Sequence, residues 1–202
     1  MDRRVLIASG LSLVALAKAH PASAQEAPPE REPGVDTNYP PAETYSRDEL
    51  VNKVSDFFGV TAEAAGAIIT KAFKDNGQPT GYISGEEGSA ALTVGLRYGK
   101  GLLYMKNRQP ETVYWQGPSV GWDVGGNASR TFTLCYNLQA PREIYQRFPG
   151  VEGSAYFIGG MGINYQRADD ITLAPIRAGV GLRLGANVGY LAYTKTRHIL
   201  PF

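Results

Sequence analysis

The chain has 202 residues, of which 43 % are hydrophobic, and it carries 20 Lys and Arg side chains against 19 Asp and Glu. This hydrophobic content is typical of a globular protein and excludes a chain that is disordered throughout. A net charge of +1 lacks the basic excess of a nucleic-acid-binding protein. The length suits one domain with its own core plus appendages.

The N-terminal segment has the three parts of an export signal. Two early arginines are followed by a largely apolar stretch at 5–17, and residues 22–24 read Ala-Ser-Ala, the small-x-small pattern that signal peptidase recognises. We therefore predict a signal peptide over 1–24, cleaved between Ala24 and Gln25. The apolar stretch is shorter than the roughly 17–25 residues of a membrane-spanning helix. The mature protein is accordingly predicted to be periplasmic.

The next segment, residues 25–45, is rich in proline and acidic residues. It holds five prolines and five Asp or Glu residues, and such a composition cannot build a core. We expect an extended, mobile leader here. A single folded domain is then predicted over residues 46–202.

Two amphipathic helices are predicted to form a hairpin over residues 46–77. Ser46 and Glu49 have the spacing of a capping box, and apolar residues then recur at helical spacing. Gly59 is suited to end the first helix, and Thr61 can cap the second. We expect the apolar stripes of both helices to cover the core of the domain.

From residue 81 onward the hydrophobic period changes to two, which is typical of strands. The clearest alternation lies at 176–190, and we expect its aliphatic row, from Ile176, to face inward like the row that ends at Tyr98. Nineteen of the 24 glycines lie between residues 81 and 189, which favours a strongly curved sheet. The candidate strands are 90–98, 101–107, 111–116, 119–124, 129–137, 153–165 (with a break at Gly159-Gly160 left open), 170–184 and 187–195. A short helix is predicted at 141–148, with Pro141 at its first position.

These elements define the predicted fold class. The protein should be mainly β, with a small eight-stranded β-barrel over residues 81–202 that is preceded by the helical hairpin. Many short strands without alternating helices support this architecture.

Aromatic and charged residues that flank two predicted turns form a candidate ligand surface. The predicted turns are Gly99-Lys100-Gly101 and Gly117-Pro118-Ser119. Aromatic rings beside charged side chains can bind a sugar or a lipid headgroup at the mouth of a barrel. The alternative is that the rings fill the barrel or staple its edges. The candidate residues are Arg97, Tyr98, Lys100, Trp115, Trp122 and Asp123.

Catalytic machinery is not evident in the sequence. Cys135 is the only cysteine, and His198 is the only histidine after the predicted signal. A nucleophile–base pair of these two is one alternative, but the apolar neighbours of Cys135 favour a buried thiol. No cluster of His, Cys or acidic residues has metal-ligand spacing. We therefore predict no catalytic residue, no cofactor and no metal.

An integral outer-membrane barrel is a further alternative, because such chains often end on an aromatic residue such as Phe202. Several candidate strands are shorter than the roughly 9–11 residues that a spanning strand needs. Residues 195–202 also lack an alternating lipid-facing row. These two features favour a soluble barrel.

Three glycine-rich segments, residues 91–101, 117–126 and 184–193, together with the closing Pro201-Phe202, resemble the family of periplasmic envelope integrity protein A. The resemblance extends over residues 46–202. It implies a soluble periplasmic eight-stranded barrel with a role in resistance to envelope stress, linked to the outer membrane and its polysaccharide. It implies no known enzymatic activity and no established site residues.

The resemblance sets the functional expectation. We expect a non-enzymatic factor that supports envelope integrity by binding a lipid, a polysaccharide or another envelope protein. Peripheral association with a membrane is compatible with this role, and no nucleic-acid partner is expected. The enzymatic alternative is a hydrolase or transferase that acts on envelope glycolipid.

Overall fold

The computed structural model describes residues 40–91, 94–120, 129–178 and 189–197. The predicted signal peptide, its cleavage site at Ala24 and Gln25, and residues 25–39 of the leader lie outside the described residues. Two helices come first, α1 (Arg47–Phe58) and α2 (Ala62–Asn76). Ten strands follow within the described part of the chain: β1 (Gly81–Ala91), β2 (Val94–Met105), β3 (Glu111–Val120), β4 (Ser129–Tyr136), β5 (Arg147–Pro149), β6 (Tyr156–Ile158), β7 (Met161–Ile163), β8 (Gln166–Ala168), β9 (Ile171–Ala178) and β10 (Tyr190–Thr194).

The helix boundaries follow from local capping, as predicted. The Ser46 side chain accepts a hydrogen bond from the Glu49 amide, and the Glu49 carboxylate accepts one from the Ser46 amide. Gly59 ends α1 with a left-handed φ of 70°, and the Thr61 side chain caps α2. Neither helix is long and apolar enough to cross a membrane.

The ordered domain begins earlier than residue 46. The Tyr45 amide donates a hydrogen bond to the Pro79 carbonyl at 2.9 Å, and the Tyr45 ring is buried against Tyr82 in an edge-to-face contact at 5.2 Å. The Ala42 amide donates to the Gln139 side chain at 3.2 Å. The last residues of the predicted mobile leader are therefore part of the domain, because the proline-rich composition concealed an aromatic anchor.

The sheet is antiparallel and curls until its ends meet. The strand order is β5-β10-β3-β2-β1-β4-β9, and β8 also pairs with β9. An isolated bridge between Gly150 and Gln166 joins the end of β5 to β8, so eight strands follow one another around a barrel-like ring. The β6–β7 hairpin adds to the far end of β9. The predicted fold class, a mainly β, eight-stranded barrel after a helical hairpin, is confirmed.

Two predicted turns are wrong, because β2 runs through Gly99–Gly101 and β3 runs through Gly117–Ser119. A Cβ atom on Gly99 would overlap the indole ring of Trp115, and one on Gly101 would lie 2.6 Å from the Ser84 carbonyl oxygen. These glycines make room for neighbours inside a continuous strand rather than for a change of direction.

Other boundaries differ from the prediction in smaller ways. Strand β1 begins at Gly81, well before the first candidate strand, and the break that was left open at Gly159-Gly160 is the turn between β6 and β7. The predicted helix at 141–148 is only a 3-10 helix over Pro141–Ile144, with proline at its start. Residues 121–124 of the candidate strand 119–124 and residues 179–184 of the candidate strand 170–184 lie outside the described residues.

Apolar side chains are buried on both faces of the sheet. The lumen, which we define as the inner face of the barrel, contains residues such as Ile83, Leu103, Val113, Trp115, Cys135, Phe148, Leu173 and Tyr193. The outer face of β1, β4, β7 and β9 packs against both helices. The strands contribute residues such as Tyr82, Phe132, Leu134, Ile163 and Ile176, and the helices contribute residues such as Leu50 and Ile68. The helices therefore cover one flank of the barrel, as predicted.

The inward direction predicted for the aliphatic rows is wrong at both places where it can be checked. Ile176 packs on the outer face under the helices, whereas Arg177 points into the lumen. Likewise, Arg97 reaches the lumen and Tyr98 faces outward. Alternation alone could not choose the side, because the helices bury the outer face as well.

Candidate functional site

The lumen is apolar at one end and charged at the other. Glu87 on β1 is 5 % exposed, and its carboxylate accepts hydrogen bonds from Arg177 Nε at 2.5 Å and Arg177 Nη2 at 3.2 Å. The indole N–H of Trp115 donates to the same carboxylate at 3.1 Å, and Arg97 Nε lies 3.6 Å from it. Side chains from three other strands, β2, β3 and β9, thus converge on one buried carboxylate.

The pKa of Glu87 reflects this convergence. Burial would raise the pKa of the carboxyl group, but Arg177, then Arg97, and the hydrogen bonds from Arg177 and Trp115 outweigh burial and lower it to about 2. Burial likewise works against the charge of Arg177, yet the adjacent Glu87 carboxylate raises the pKa of the guanidinium. Both groups are therefore charged at neutral pH and depend on each other.

Polar side chains continue from this pair along the lumen. Asn164 Oδ1 accepts a hydrogen bond from Arg177 Nη1 at 3.0 Å, and Thr131 pairs with Arg177 in the β4–β9 register. Gln166 lies two residues beyond Asn164 and faces the same side. Gln166 itself pairs with Leu173, in the apolar part, so we call the set Glu87, Arg97, Thr131, Asn164 and Arg177 the polar end of the lumen.

The predicted ligand surface is divided between the two faces of the sheet. Arg97 and Trp115 point into the lumen, whereas Tyr98 and Lys100 point outward. Successive residues of a strand face opposite sides, so neighbours in sequence could not share one surface. Trp122 and Asp123 lie outside the described residues.

The outward-facing residues line a cavity on the exposed flank of the barrel. We call it the outer cleft; its volume is about 100 Å³, and its lining includes Tyr98, Lys100, Tyr114, Gln116 and Arg197, with Gly99 and Trp115 at its base. Lys100 Nζ lies 5.8 Å from the centroid of the Tyr114 ring. A shallower depression of about 410 Å³, bordered by Ser84, Glu86 and Leu102, adjoins it. Of the predicted ligand-surface residues, Tyr98 and Lys100 line this cleft, and Tyr114 and Arg197, which were not among them, reach it from other parts of the chain.

Cys135 is placed poorly for nucleophilic chemistry. Its side chain is fully buried in the apolar part of the lumen, and burial raises the pKa of the thiol. A thiol in such surroundings stays protonated and behaves as a small apolar group. The predicted buried thiol is confirmed, and His198 lies outside the described residues.

Comparison with known proteins connects this architecture to a family. A sequence profile described as envelope integrity protein A matches residues 43–202. The chain belongs to the envelope integrity protein A family. The resemblance noted in the sequence is therefore confirmed, and membership implies a role in the integrity of the cell envelope.

A solved structure supports the fold of this family member. The chain is 47 % identical to a beta-barrel-like, uncharacterized protein from Brucella abortus, whose crystal structure matches with a TM-score of 0.72. The match covers 79 % of this chain and 99 % of the other. No curated protein matches the chain.

Proposed function

We propose that this protein is a non-enzymatic periplasmic factor that supports envelope integrity and resistance to envelope stress by binding an envelope component at the outer cleft. Membership of the envelope integrity protein A family supports the role, and the signal-like N-terminus supports the compartment. The observation that carries the binding proposal is the grouping of two tyrosines and two cationic side chains around one cavity.

The chemistry of the outer cleft favours an anionic envelope molecule. Tyr98 and Tyr114 offer flat rings on which a sugar or an acyl-glycerol unit can pack. Lys100 and Arg197, both exposed, can bind a carboxylate or phosphate group. An anionic polysaccharide and an anionic lipid headgroup share these features, and both are expected partners of an envelope protein.

Binding rather than catalysis is supported by the state of the single cysteine. A nucleophile needs an accessible thiolate, whereas Cys135 is buried with a raised pKa. An acid–base enzyme would need a carboxyl group whose pKa lies near the working pH. Glu87 instead has a pKa of about 2 and is held by two arginines, an arrangement suited to structure.

Native mass spectrometry and vesicle co-sedimentation test this proposal. The purified protein is measured before and after exposure to envelope polysaccharide and to vesicles of phosphatidylglycerol or of phosphatidylcholine. We expect a discrete added mass, or sedimentation with anionic vesicles only, and we expect Lys100→Ala with Arg197→Ala to abolish it. The matched control is Lys74→Ala, which removes an exposed lysine from α2.

The possible outcomes distinguish a glycan ligand from a lipid headgroup, and they distinguish both from a failure of the proposal. A polysaccharide adduct identifies a glycan, and selective sedimentation with phosphatidylglycerol identifies a headgroup. A protein that stays bare in every arm, or binding that survives loss of both cleft cations, contradicts the proposal. In cells, the double variant should reproduce the sensitivity of a deletion strain to envelope stress, whereas Lys74→Ala should not.

A further inference from the structure

Strand β6 ends the strand order of the described part of the chain, and its second edge pairs with no strand there. The strand at the other end of the order, β5, is joined to β8 by the bridge between Gly150 and Gln166, and it contains Arg147 and Pro149. Charged residues and proline protect strand edges from further pairing. In contrast, β6 reads Tyr-Phe-Ile, and no residue from Gly153 to Gln166 is charged or a proline. The shortness of β6 limits pairing at this edge, but its composition does not.

The pairing of β6 with β7 determines which backbone groups lie on the free edge. The two glycines of the turn 159–160 have φ angles of 62° and 79°, and the flanking Ile158 and Met161 pair directly. Two left-handed residues are typical of a type I′ hairpin turn, across which the flanking residues are hydrogen-bonded. Hydrogen-bonded and non-hydrogen-bonded pairs alternate along an antiparallel ladder. The next pair, Phe157 with Gly162, is therefore non-hydrogen-bonded, and the N–H and C=O of Phe157 point to the free edge.

The pairing of β7 with β9 agrees with this assignment. The Asn164 amide donates a hydrogen bond to the Pro175 carbonyl at 3.4 Å, so its backbone points to β9. Backbone groups two residues apart in a strand point the same way. Those of Gly162 therefore also point to β9, which leaves the backbone of Phe157 without a partner in the β6–β7 ladder.

The side chain of Phe157 is left open as well. It is 52 % exposed, more than any other large apolar side chain in the described part of the chain. Gly162 lies across the ladder from it, and the next positions on the same face of β6 are Ala155 and Gly159. None of these neighbours has a side chain larger than a methyl group. A residue on an added strand, directly opposite Phe157, would lie beside the exposed ring.

Helix α2 holds the hairpin in place. A Cβ atom on Gly159 would lie 3.0 Å from the Ala64 carbonyl oxygen, so the turn packs closely on the helix. On the face opposite Phe157, Lys71 Nζ lies 3.8 Å from the centroid of the Tyr156 ring. An edge that is already fixed in an extended conformation loses little conformational entropy when a partner binds.

The size of this surface favours an extended segment over a second copy of the chain as its occupant. A stable dimer buries roughly 800 Å² and roughly 20–30 residues on each partner. The exposed large apolar side chains of this region are only Val151, Tyr156 and Phe157, around a strand of three residues. A second copy would bring only the same short edge. Strand addition needs less area, because main-chain hydrogen bonds supply its affinity and alternate side chains its specificity.

We infer that the free edge of β6 is a docking site for an extended, uncharged segment of another protein, which adds a strand beside Phe157. The absence of charge from Gly153 to Gln166 favours a segment without charge at the pairing positions. Its backbone bonds the N–H and C=O of Phe157, and one of its side chains covers the ring. The site lies on a different strand from the residues of the outer cleft, so either site can fail in experiment without the other.

Amide hydrogen exchange of the purified protein, followed by NMR, tests the inference. The probe is a synthetic peptide of alternating threonine and valine with capped ends. In the free protein the Phe157 amide should exchange quickly, whereas the amides of Tyr156 and Ile158, which bond to β7, should exchange slowly. Saturating peptide should slow exchange of the Phe157 amide at least about tenfold.

N-methylated peptides test whether the main chain makes the contact. Alternate N–H groups of an added strand point to β6, so methylation of either the valines or the threonines must block binding while the other form still binds. Failure of the valine-methylated form indicates antiparallel addition, in which the residue that bonds Phe157 also covers its ring.

Variants of Phe157 separate its backbone from its ring. Phe157→Pro removes the N–H on the free edge and no bond of the β6–β7 ladder, whereas Phe157→Thr keeps the N–H and removes the ring. We expect the first to abolish peptide binding and the second to weaken it about tenfold. The matched control is Leu102→Thr, which removes an exposed apolar side chain from β2 and should leave peptide binding unchanged.

Protection of the Phe157 amide, with one methylated peptide inactive, supports the inference. Absence of this protection, equal binding of both methylated peptides, or unchanged binding by Phe157→Pro overturns it. Self-association of the free protein, or sedimentation with phosphatidylcholine vesicles, that Phe157→Thr removes would assign the edge to a second copy or to a membrane and would also overturn it. If Phe157→Pro does not fold, Phe157→Thr and the methylated peptides still decide the question.

Discussion

Replacing Glu87 by Gln removes the charge at the centre of the polar end and keeps the side-chain shape. Arg177, whose side chain is only 13 % exposed, then loses the carboxylate that binds it through two nitrogen atoms. Breaking a buried ion pair on one side costs about 3–5 kcal/mol, because the remaining charge stays buried without compensation. This is a large share of the roughly 5–15 kcal/mol that stabilises a typical domain.

The lowered pKa of Glu87 also predicts how the free energy of unfolding depends on pH. The pKa of Glu87 is about 2 in the folded protein, against 4.5 for a free carboxyl group. The unfolded chain therefore binds the proton first as the pH falls, and the stabilisation, complete above pH 4.5, is lost progressively toward pH 2. Between about pH 6 and pH 3 the free energy of unfolding should fall by about 2 kcal/mol through this group alone.

Urea denaturation of the wild type and Glu87→Gln at several pH values between these limits measures both effects. We expect the variant to be less stable by about 3–5 kcal/mol near pH 6, and the gap to narrow by about 2 kcal/mol near pH 3. Glu86→Gln is the matched control, since Glu86 is the exposed neighbour on the outer face of β1. Equal stability of Glu87→Gln and the wild type, or parallel pH profiles, would refute the assigned role of the pair.

Three further changes test the packing of the barrel and its helices. Gly99→Ala should destabilise the fold by at least about 1–3 kcal/mol in thermal melts, because its methyl group overlaps Trp115; Gly88→Ala, with no atom within 4 Å of the added methyl, should be tolerated, and equal melting of the two variants would contradict the packing argument. Ser46→Ala removes the hydroxyl that accepts a hydrogen bond from the Glu49 amide, one of the two bonds of the capping box, and should lower the free energy of unfolding by about 1 kcal/mol in urea; an unchanged midpoint would show that this cap does not stabilise α1. The Cys135 thiol, fully buried with a raised pKa, should react with a thiol reagent only in denaturant, and rapid reaction of the native protein would show that the lumen opens.

Local signals in the sequence predicted the helices well. A capping box, a glycine in the left-handed conformation and a threonine cap each act within four residues, so their effect does not depend on the rest of the fold. Ser46, Gly59 and Thr61 accordingly mark the observed boundaries. Composition also predicted the barrel class, because glycine-rich alternation favours strong curvature.

Contacts between strands determine the features of the fold that local sequence patterns did not predict. Gly99 has the local signature of a turn, and only the position of Trp115 on the next strand explains why it lies within a strand. Glu87 and Arg177 are 90 residues apart, and no local pattern joins them. Arg177 alternates with the aliphatic row that begins at Ile176, a pattern typical of an exposed strand face opposite a buried one, and only the packing of the helices on the aliphatic face shows that Arg177 points into the lumen.

The buried pair also explains how glycine-rich strands keep their register. Strand β4 lies between β1 and β9, with Glu87 opposite Ser129 and Arg177 opposite Thr131. Glycine-rich strands specify register weakly, and a shift of one residue turns every side chain to the other face. Such a shift in β1 would move Glu87 to the outer face and leave Arg177 buried without a carboxylate. The ion pair therefore penalises the shifted register far more than it stabilises the correct one. Specifying the register in this way is the best attested role of buried charged and polar groups.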